Sequence, residues 1–240
     1  CCTPETFADV RAFHRTLPGY QPTPLVALPD LAKEVGVKGV YIKDESKRFG
    51  LNAFKALGAS YAIHKLFPDG NVGLTVTATD GNHGKGMAWS THRLGGHAVV
   101  FMPAGTVASR VEAIRAIGDT EVTVTDLNYD GTVATAAAYA KEHGGHLVQD
   151  TAFAGYEEVP ENITLGYSTM AAEALEELAA LGVGEPTHTF LQAGVGSMAG
   201  GVAAYLAETC KNPPAMAVVE AWESACVLES IRQGRLVTIE

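Results

Sequence analysis

VGLTVTATDGNHGKGMAWSTHR, residues 72–93, runs from an apolar, β-branched stretch (Val72 to Ala78) through a polar, glycine-bearing turn (Thr77 to Gly86) into a helical stretch (Gly86 to Arg93). The alternation spreads both ways from there. Gly39 to Ile42 precedes a helix carrying Lys55, Ala98 to Met102 precedes Arg110 to Ile117, and Glu121 to Thr125 precedes Thr132 to His143. Leu147 to Gln149 is followed by a long helix over Glu161 to Leu181, Thr189 to Ala193 by Ala199 to Thr209, and Ala217 to Val219 by Glu223 to Gln233. Strands alternating with helices at this pitch predict an α/β fold of open parallel sheet with helices on both faces. No Ser/Gly linker or charge run separates domains, and the alanine-rich Ala134 to Ala140 reads as helix.

With 240 residues, 47% of them hydrophobic and 18% charged, the chain has material for an ample core. A net charge of −10 argues against a nucleic-acid backbone as partner and makes small-molecule chemistry the default. No run approaches the roughly 18 apolar residues of a membrane span, and no basic segment followed by an apolar run opens the chain, so a cytoplasmic protein is expected. Cys1, Cys2, Cys210 and Cys226 lack any C-x-x-C spacing or histidine neighbours, which predicts free thiols rather than zinc or disulfides. The start at Cys1 and the end at Leu236-Val237-Thr238-Ile239-Glu240 read as those of a fragment.

Three segments carry chemistry. Lys55, in Arg48-Phe49-Gly50-Leu51-Asn52-Ala53-Phe54-Lys55-Ala56-Leu57-Gly58, lies among apolar and small residues just inside a helix start at Asn52. Partial drying and the positive helix end both disfavour an ammonium, and a neutral amine can form a Schiff base; alone, the residue reads more simply as a surface lysine on an amphipathic helix. The turn Thr79-Asp80-Gly81-Asn82-His83-Gly84 offers a carboxylate, an amide and backbone donors at a strand's carboxyl end, although Asp80 as a helix cap and Asn82 as a turn residue explain it too. Gly194-Val195-Gly196-Ser197-Met198-Ala199-Gly200-Gly201 follows a strand and opens a helix, which suits a phosphate bound by main-chain N–H groups. With Glu220 about 20 residues on, the same loop reads as a dinucleotide fingerprint, or as glycines that merely allow close packing.

Taken in order, the early N-x-F-K lysine, the G-N-H-G turn and the late glycine loop resemble the pyridoxal-phosphate enzymes of the tryptophan synthase β fold. Tyr20-Gln21-Pro22-Thr23-Pro24-Leu25 and Lys43-Asp44-Glu45-Ser46 are similar to that family's opening. An acidic residue at Asp80, where dehydratases and cysteine synthases carry serine or threonine, together with Val148-Gln149-Asp150-Thr151-Ala152-Phe153-Ala154-Gly155-Tyr156, resembles the diaminopropionate ammonia-lyase branch.

That resemblance implies a pyridoxal 5'-phosphate enzyme that eliminates ammonia from both isomers of 2,3-diaminopropionate, leaving aminoacrylate that hydrolyses to pyruvate and a second ammonia. Lys55 would hold the cofactor and act as base on one face, and Asp80 would be the base on the other, where a hydroxyl lacks the basicity. Asp150 would orient a substrate ammonium. Asn82 would bond the cofactor's phenolic oxygen, and Gly194, Val195, Gly196, Ser197, Met198 and Ala199 would cradle its phosphate. His83 reads as packing at the turn. The resemblance further implies a homodimer, no metal, a smaller domain over 38–160, and a larger one joining 1–37 to 161–240. Serine/threonine dehydratase-type lyase, NAD enzyme and inactive cofactor-binding fragment stand as alternatives.

Overall fold

The structure, a computed structural model, describes residues 2–118 and 120–237. Cys1 and Thr238 to Glu240, on which the fragment reading partly rests, lie outside the described residues. In chain order the elements are α1 (Pro4–Thr16), β1 (Leu25–Ala27), α2 (Pro29–Val35), β2 (Tyr41–Lys43), a 3₁₀ turn (Glu45–Gly50), α3 (Lys55–Leu66), β3 (Leu74–Ala78), α4 (Asn82–Arg93), β4 (His97–Met102) and α5 (Ala108–Arg115). They continue as β5 (Thr120–Val124), α6 (Tyr129–Glu142), β6 (His146–Leu147), α7 (Glu158–Gly166), α8 (Ser168–Ala180), β7 (His188–Gln192), α9 (Ser197–Thr209), β8 (Ala215–Val219) and α10 (Cys226–Gln233).

Four strands form a wholly parallel sheet in the order β5-β4-β3-β6, and β7 and β8 form a second parallel pair. The predicted α/β architecture is therefore present. Alternation along each strand sends neighbouring side chains to opposite faces. Val76, Ala78, Val99 and Phe101 pack with Ala136 and Ala140 of α6, whereas Ala98, Val100 and Met102 join the larger core of Leu57, Ile63, Met87, Ile114, Ile163 and Tyr167. Fully burying an aliphatic side chain of this size contributes roughly 1.5–3 kcal/mol, which is why strands buried on both faces read as near-continuous apolar runs.

The chain enters this sheet at β3, steps outward through β4 and β5, and returns by α6 to place β6 on the other side of β3. Strand order reverses between β3 and β6, and ligands of open α/β sheets sit beyond the carboxyl ends of strands at such a reversal. Those two ends run into Asp80 and Asp150.

Three readings differ from the sequence expectation. The Gly39 to Ile42 strand is β2, and it pairs antiparallel with β1 (Leu25 opposite Lys43) in a small separate sheet, outside the parallel alternation. The single helix expected over Glu161 to Leu181 is two, α7 and α8, because the backbone tightens at Tyr167: its N–H bonds Thr164 C=O at 3.2 Å and its C=O accepts from Met170 N–H at 3.2 Å, both three-residue steps. The helix expected from Asn52 begins at Lys55, since Asn52 itself is left-handed (φ 55°).

Close helix crossings explain two glycines. A Cβ on Gly86 of α4 would lie 2.6 Å from the Lys55 carbonyl carbon and 2.7 Å from the Ala56 nitrogen, and one on Gly201 of α9 would lie 2.0 Å from the Thr164 oxygen of α7. Among the described residues no helix is long and apolar enough to cross a membrane, and no His/Cys/Asp/Glu group is arranged to hold a metal ion. The backbone about Lys55 cannot yield to a methyl group on Gly86. Gly86→Ala is expected to cost about 1–3 kcal/mol in urea unfolding, while an exposed glycine without such neighbours tolerates the change far better.

Candidate active site

Lys55 owes its position to the loop before it. Arg48 and Glu173 are fully buried, and the guanidinium bonds Glu173 through both terminal nitrogens (2.9 and 2.8 Å) and Glu45 through Nε and Nη2 (2.9 and 2.7 Å). Glu173 also accepts from Tyr20 O–H (2.6 Å) and Thr23 N–H (3.1 Å), and Lys43 lies 3.0 Å away. Burial alone would raise the Glu173 carboxyl, but Arg48 and Lys43 outweigh it and hold the group below the usual carboxylate range. This cluster ties the 3₁₀ turn to α8 and holds Phe49 (φ 50°) and Asn52 (φ 55°) in left-handed backbone just ahead of α3.

Lys55 is the first residue of α3, and its Nζ donates to Asp150 Oδ2 at 2.6 Å; the side chains are 20% and 7% exposed. Asp150 is set by its neighbours. Val148 N–H continues the sheet ladder to Val76 C=O (2.8 Å), and the buried Gln149 side chain accepts from Ala78 N–H (3.1 Å) and Thr77 O–H (3.0 Å) while donating to Tyr129 Oη (2.8 Å). Burial favours the neutral Asp150 acid, but the charges of His83 and Lys55 and the Lys55 hydrogen bond together hold its pKa at about 2. His83 is itself driven below its ordinary range by burial, so near neutral pH the ring is uncharged and Lys55 is the cation that counts.

The glycine loop meets this pair. Gly196 adopts φ 88° and caps α9, whose first internal bond runs from Gly200 N–H to Gly196 C=O (2.8 Å). The N–H groups of Ser197, Met198 and Ala199 are thereby left without intrahelical acceptors. Ser197 Oγ donates to the Asp150 carbonyl oxygen at 3.4 Å, and a cleft of about 280 Å³ is lined by Asp150, Ala152, Glu157, Thr164, Val195 and Ser197. Gly194 and Val195 are exposed at its rim. Glu220, the acid that a dinucleotide reading needs for a ribose, instead accepts from the Val227 and Leu228 N–H groups (both 2.9 Å) and caps α10.

Asp80 and Asn82 stand at the solvent side of the turn, both exposed. The Asp80 carboxylate lies 3.8 Å from Arg110 Nη1, and the same guanidinium donates to the Asp80 carbonyl oxygen at 3.0 Å. Tyr129 links the two acids: its phenol is pushed up to about 12 by burial and then by the charges of Asp150 and Asp80. The structure thus links Lys55 and Ser197 to Asp150 by hydrogen bonds, lines one cleft with Asp150, Val195 and Ser197, and leaves Asp80 and Asn82 exposed on the turn after β3.

Gln149 and the Arg48–Glu173 clamp carry no signal in the sequence, because an isolated buried glutamate in a helix reads as surface. His83, which the sequence reads as packing at the turn, is 5% exposed with Nε2 bonded to Val148 C=O at 2.7 Å.

An amine beside a buried carboxylate, unclaimed helix N–H groups, and the unpartnered buried hydroxyl of Thr151 make a set that fits a phosphorylated carbonyl cofactor. The chain belongs to the family of pyridoxal-phosphate dependent enzymes, whose model matches residues 16–240. Within that family it is similar to diaminopropionate ammonia-lyase of Escherichia coli strain K12, with 45% identity over 95% of this chain and 62% of the relative. It also superimposes on the holo crystal structure of the Escherichia coli diaminopropionate ammonia-lyase with a TM-score of 0.92 and 44% identity, covering 99% of this chain and 65% of that one. The complex of that lyase with an aminoacrylate–PLP azomethine reaction intermediate matches equally well, with a TM-score of 0.92 and 45% identity over 98% of this chain and 64% of that one. The chain therefore spans about three fifths of the length of the relatives it matches.

Two measurements test the site. Asp150 is lowered in the folded state, so its contribution is present above the ordinary carboxylate range and lost as pH falls through the folded value. The stability gap between the wild type and Asp150→Asn is expected to narrow by about 2 kcal/mol between about pH 5 and about pH 2 in urea unfolding. Glu173→Ala removes one of the two carboxylates that balance the buried Arg48 charge, together with the Lys43 partner, and is expected to cost about 3–5 kcal/mol in urea unfolding.

Proposed function

We propose that this chain carries the cofactor and the proton-transferring groups of a pyridoxal-phosphate enzyme that eliminates ammonia from 2,3-diaminopropionate, of either hand, to give pyruvate. The observation that carries the reading is the Lys55 amine held 2.6 Å from Asp150 beside the open N-terminus of α9. When bound, the cofactor supplies an electron sink that stabilises negative charge at the substrate Cα.

Lys55 is the residue that would hold the cofactor and then take or return the Cα proton at Nζ. Ser197, Met198 and Ala199 would bind the phosphate through N–H groups, with Gly194, Val195 and Gly196 shaping the loop around it. Asn82 would reach the phenolic oxygen from the first turn of α4. Asp80 would take the Cα proton of the other isomer at its carboxylate, and Asp150 would receive a substrate ammonium in place of the Lys55 one. These assignments divide the chain into a smaller unit over 38–160, which holds Lys55, Asp80 and Asp150, and a larger one from 1–37 with 161–240. A homodimer working in the cytoplasm completes the reading.

One observation favours a second reading, cofactor binding without turnover. Phe190 of β7 is 73% exposed, Trp222 91% and Ile231 of α10 71%, large apolar side chains of the kind that further protein surface commonly covers. Visible spectra before and after borohydride, followed by peptide mapping, are expected to place the reduced adduct on Lys55, and Lys55→Ala is expected to abolish the absorbance. Pyruvate formed from both isomers, with Asp80→Ser sparing L- but abolishing D-diaminopropionate turnover, supports the two-base reading; equal loss for both isomers removes it. A coloured adduct without pyruvate selects the second reading.

A further inference from the structure

We propose that His83 is the charge-balancing partner of Asp150: its Nδ1 takes up a proton when the Lys55 amine ceases to be an ammonium, and releases it when an ammonium returns to the carboxylate. His83 Nε2 lies 2.7 Å from the Val148 carbonyl oxygen, which can only accept, so Nε2 carries the hydrogen and the neutral ring turns its lone pair outward at Nδ1. That atom is buried, has no hydrogen-bond partner, and stands 3.6 Å from Asp150 Oδ2. Two acceptors then face each other. The arrangement is tolerable because Oδ2 already receives the Lys55 ammonium at 2.6 Å.

Removal of that ammonium leaves Asp150 as a buried carboxylate without a counter-charge, which costs far more than moving a proton onto the nearest basic atom. Nδ1 is that atom, and a closure of under 1 Å would turn the 3.6 Å approach into a charge-assisted hydrogen bond. The forces on the ring oppose one another, and Lys55 sets the balance. Burial lowers its proton affinity, Asp150 raises it and Lys55 lowers it, so neutralising Lys55 lifts one opposing influence and leaves the attraction of Asp150. From the elements packed around the pair, Tyr129, Tyr156 and Tyr167 present phenols that burial pushes up, so they stay neutral and do not compete. In the proposed reaction, on which this use rests, Lys55 spends its amine on the cofactor and His83 keeps the Asp150 site neutral until a substrate ammonium arrives.

The test reads the ring directly. In the full chain without cofactor, with ¹⁵N-labelled histidine, ring-nitrogen NMR follows protonation across the neutral range, and the His83 signals among the eight histidines are those lost in His83→Gln. Lys55→Met is expected to raise the His83 midpoint by about one pH unit or more, and Lys55→Met/Asp150→Asn is expected to return it to or below the wild-type position. An unchanged midpoint in Lys55→Met, or a rise that persists in the double variant, overturns the proposal. Loading the wild type with pyridoxal 5'-phosphate gives the same comparison without substitution, should Lys55→Met fail to fold, and is expected to raise the midpoint likewise. A chain that does not take up the cofactor overturns the proposed function instead, and Lys55→Met then decides the His83 question alone.

Discussion

The ion pair between Lys55 and Asp150 joins residues 95 apart in the chain, and each end of it needs its own support. A carboxylate as buried as Asp150 is tenable only with a cation at hydrogen-bond distance, and a lysine stem so enclosed needs an acceptor for its head. On the Lys55 side the support is electrostatic: Arg48 and Glu173 lock a left-handed turn to α8 and so aim the start of α3. On the Asp150 side it is a hydrogen-bond chain, with Val148, Gln149 and His83 each spending polar groups on β3 or on the strand ends beside it.

Sheet topology makes these supports converge. Because β6 returns to pair with β3 on the side opposite β4, the segments that follow the two strands lie side by side, and the charges of Asp150 and Asp80 both act on Tyr129. Backbone proximity then completes the site. Gly86 lets α4 touch the first peptide of α3, and Gly201 lets α9 press on α7, which carries the loop of Gly194 and Gly196 up to Asp150. The glycines of that loop divide their work: Gly196 turns the chain with positive φ, while Gly201 is a packing residue.

Much of this was legible from residue order. The apolar runs from Val72 to Ala78 and from Ala98 to Met102 announced buried parallel strands, and Lys55, Asp150 and the Gly194 to Ala199 loop announced a site through their resemblance to one family. The antiparallel pairing of Leu25 to Ala27 with Tyr41 to Lys43 was not, since three-residue strands carry too little periodicity to state a partner. Nor was the break at Tyr167, because Gly166 before it is a helical residue packed against the Leu57 backbone and only a one-residue tightening of the hydrogen-bond pattern records the break.

Local chemistry, then, was determined by sequence alone: which segments alternate as strand and helix, which loop can face an anion, and which amine and carboxylates are available. Tertiary structure decided what those groups meet. Glu173, Gln149 and His83 look like ordinary polar residues in one dimension, because burial and partner distance depend on segments that approach from far along the chain. Only the folded sheet shows that the carboxylate at 150 reaches the amine at 55 directly, while the one at 80 faces Arg110 and solvent.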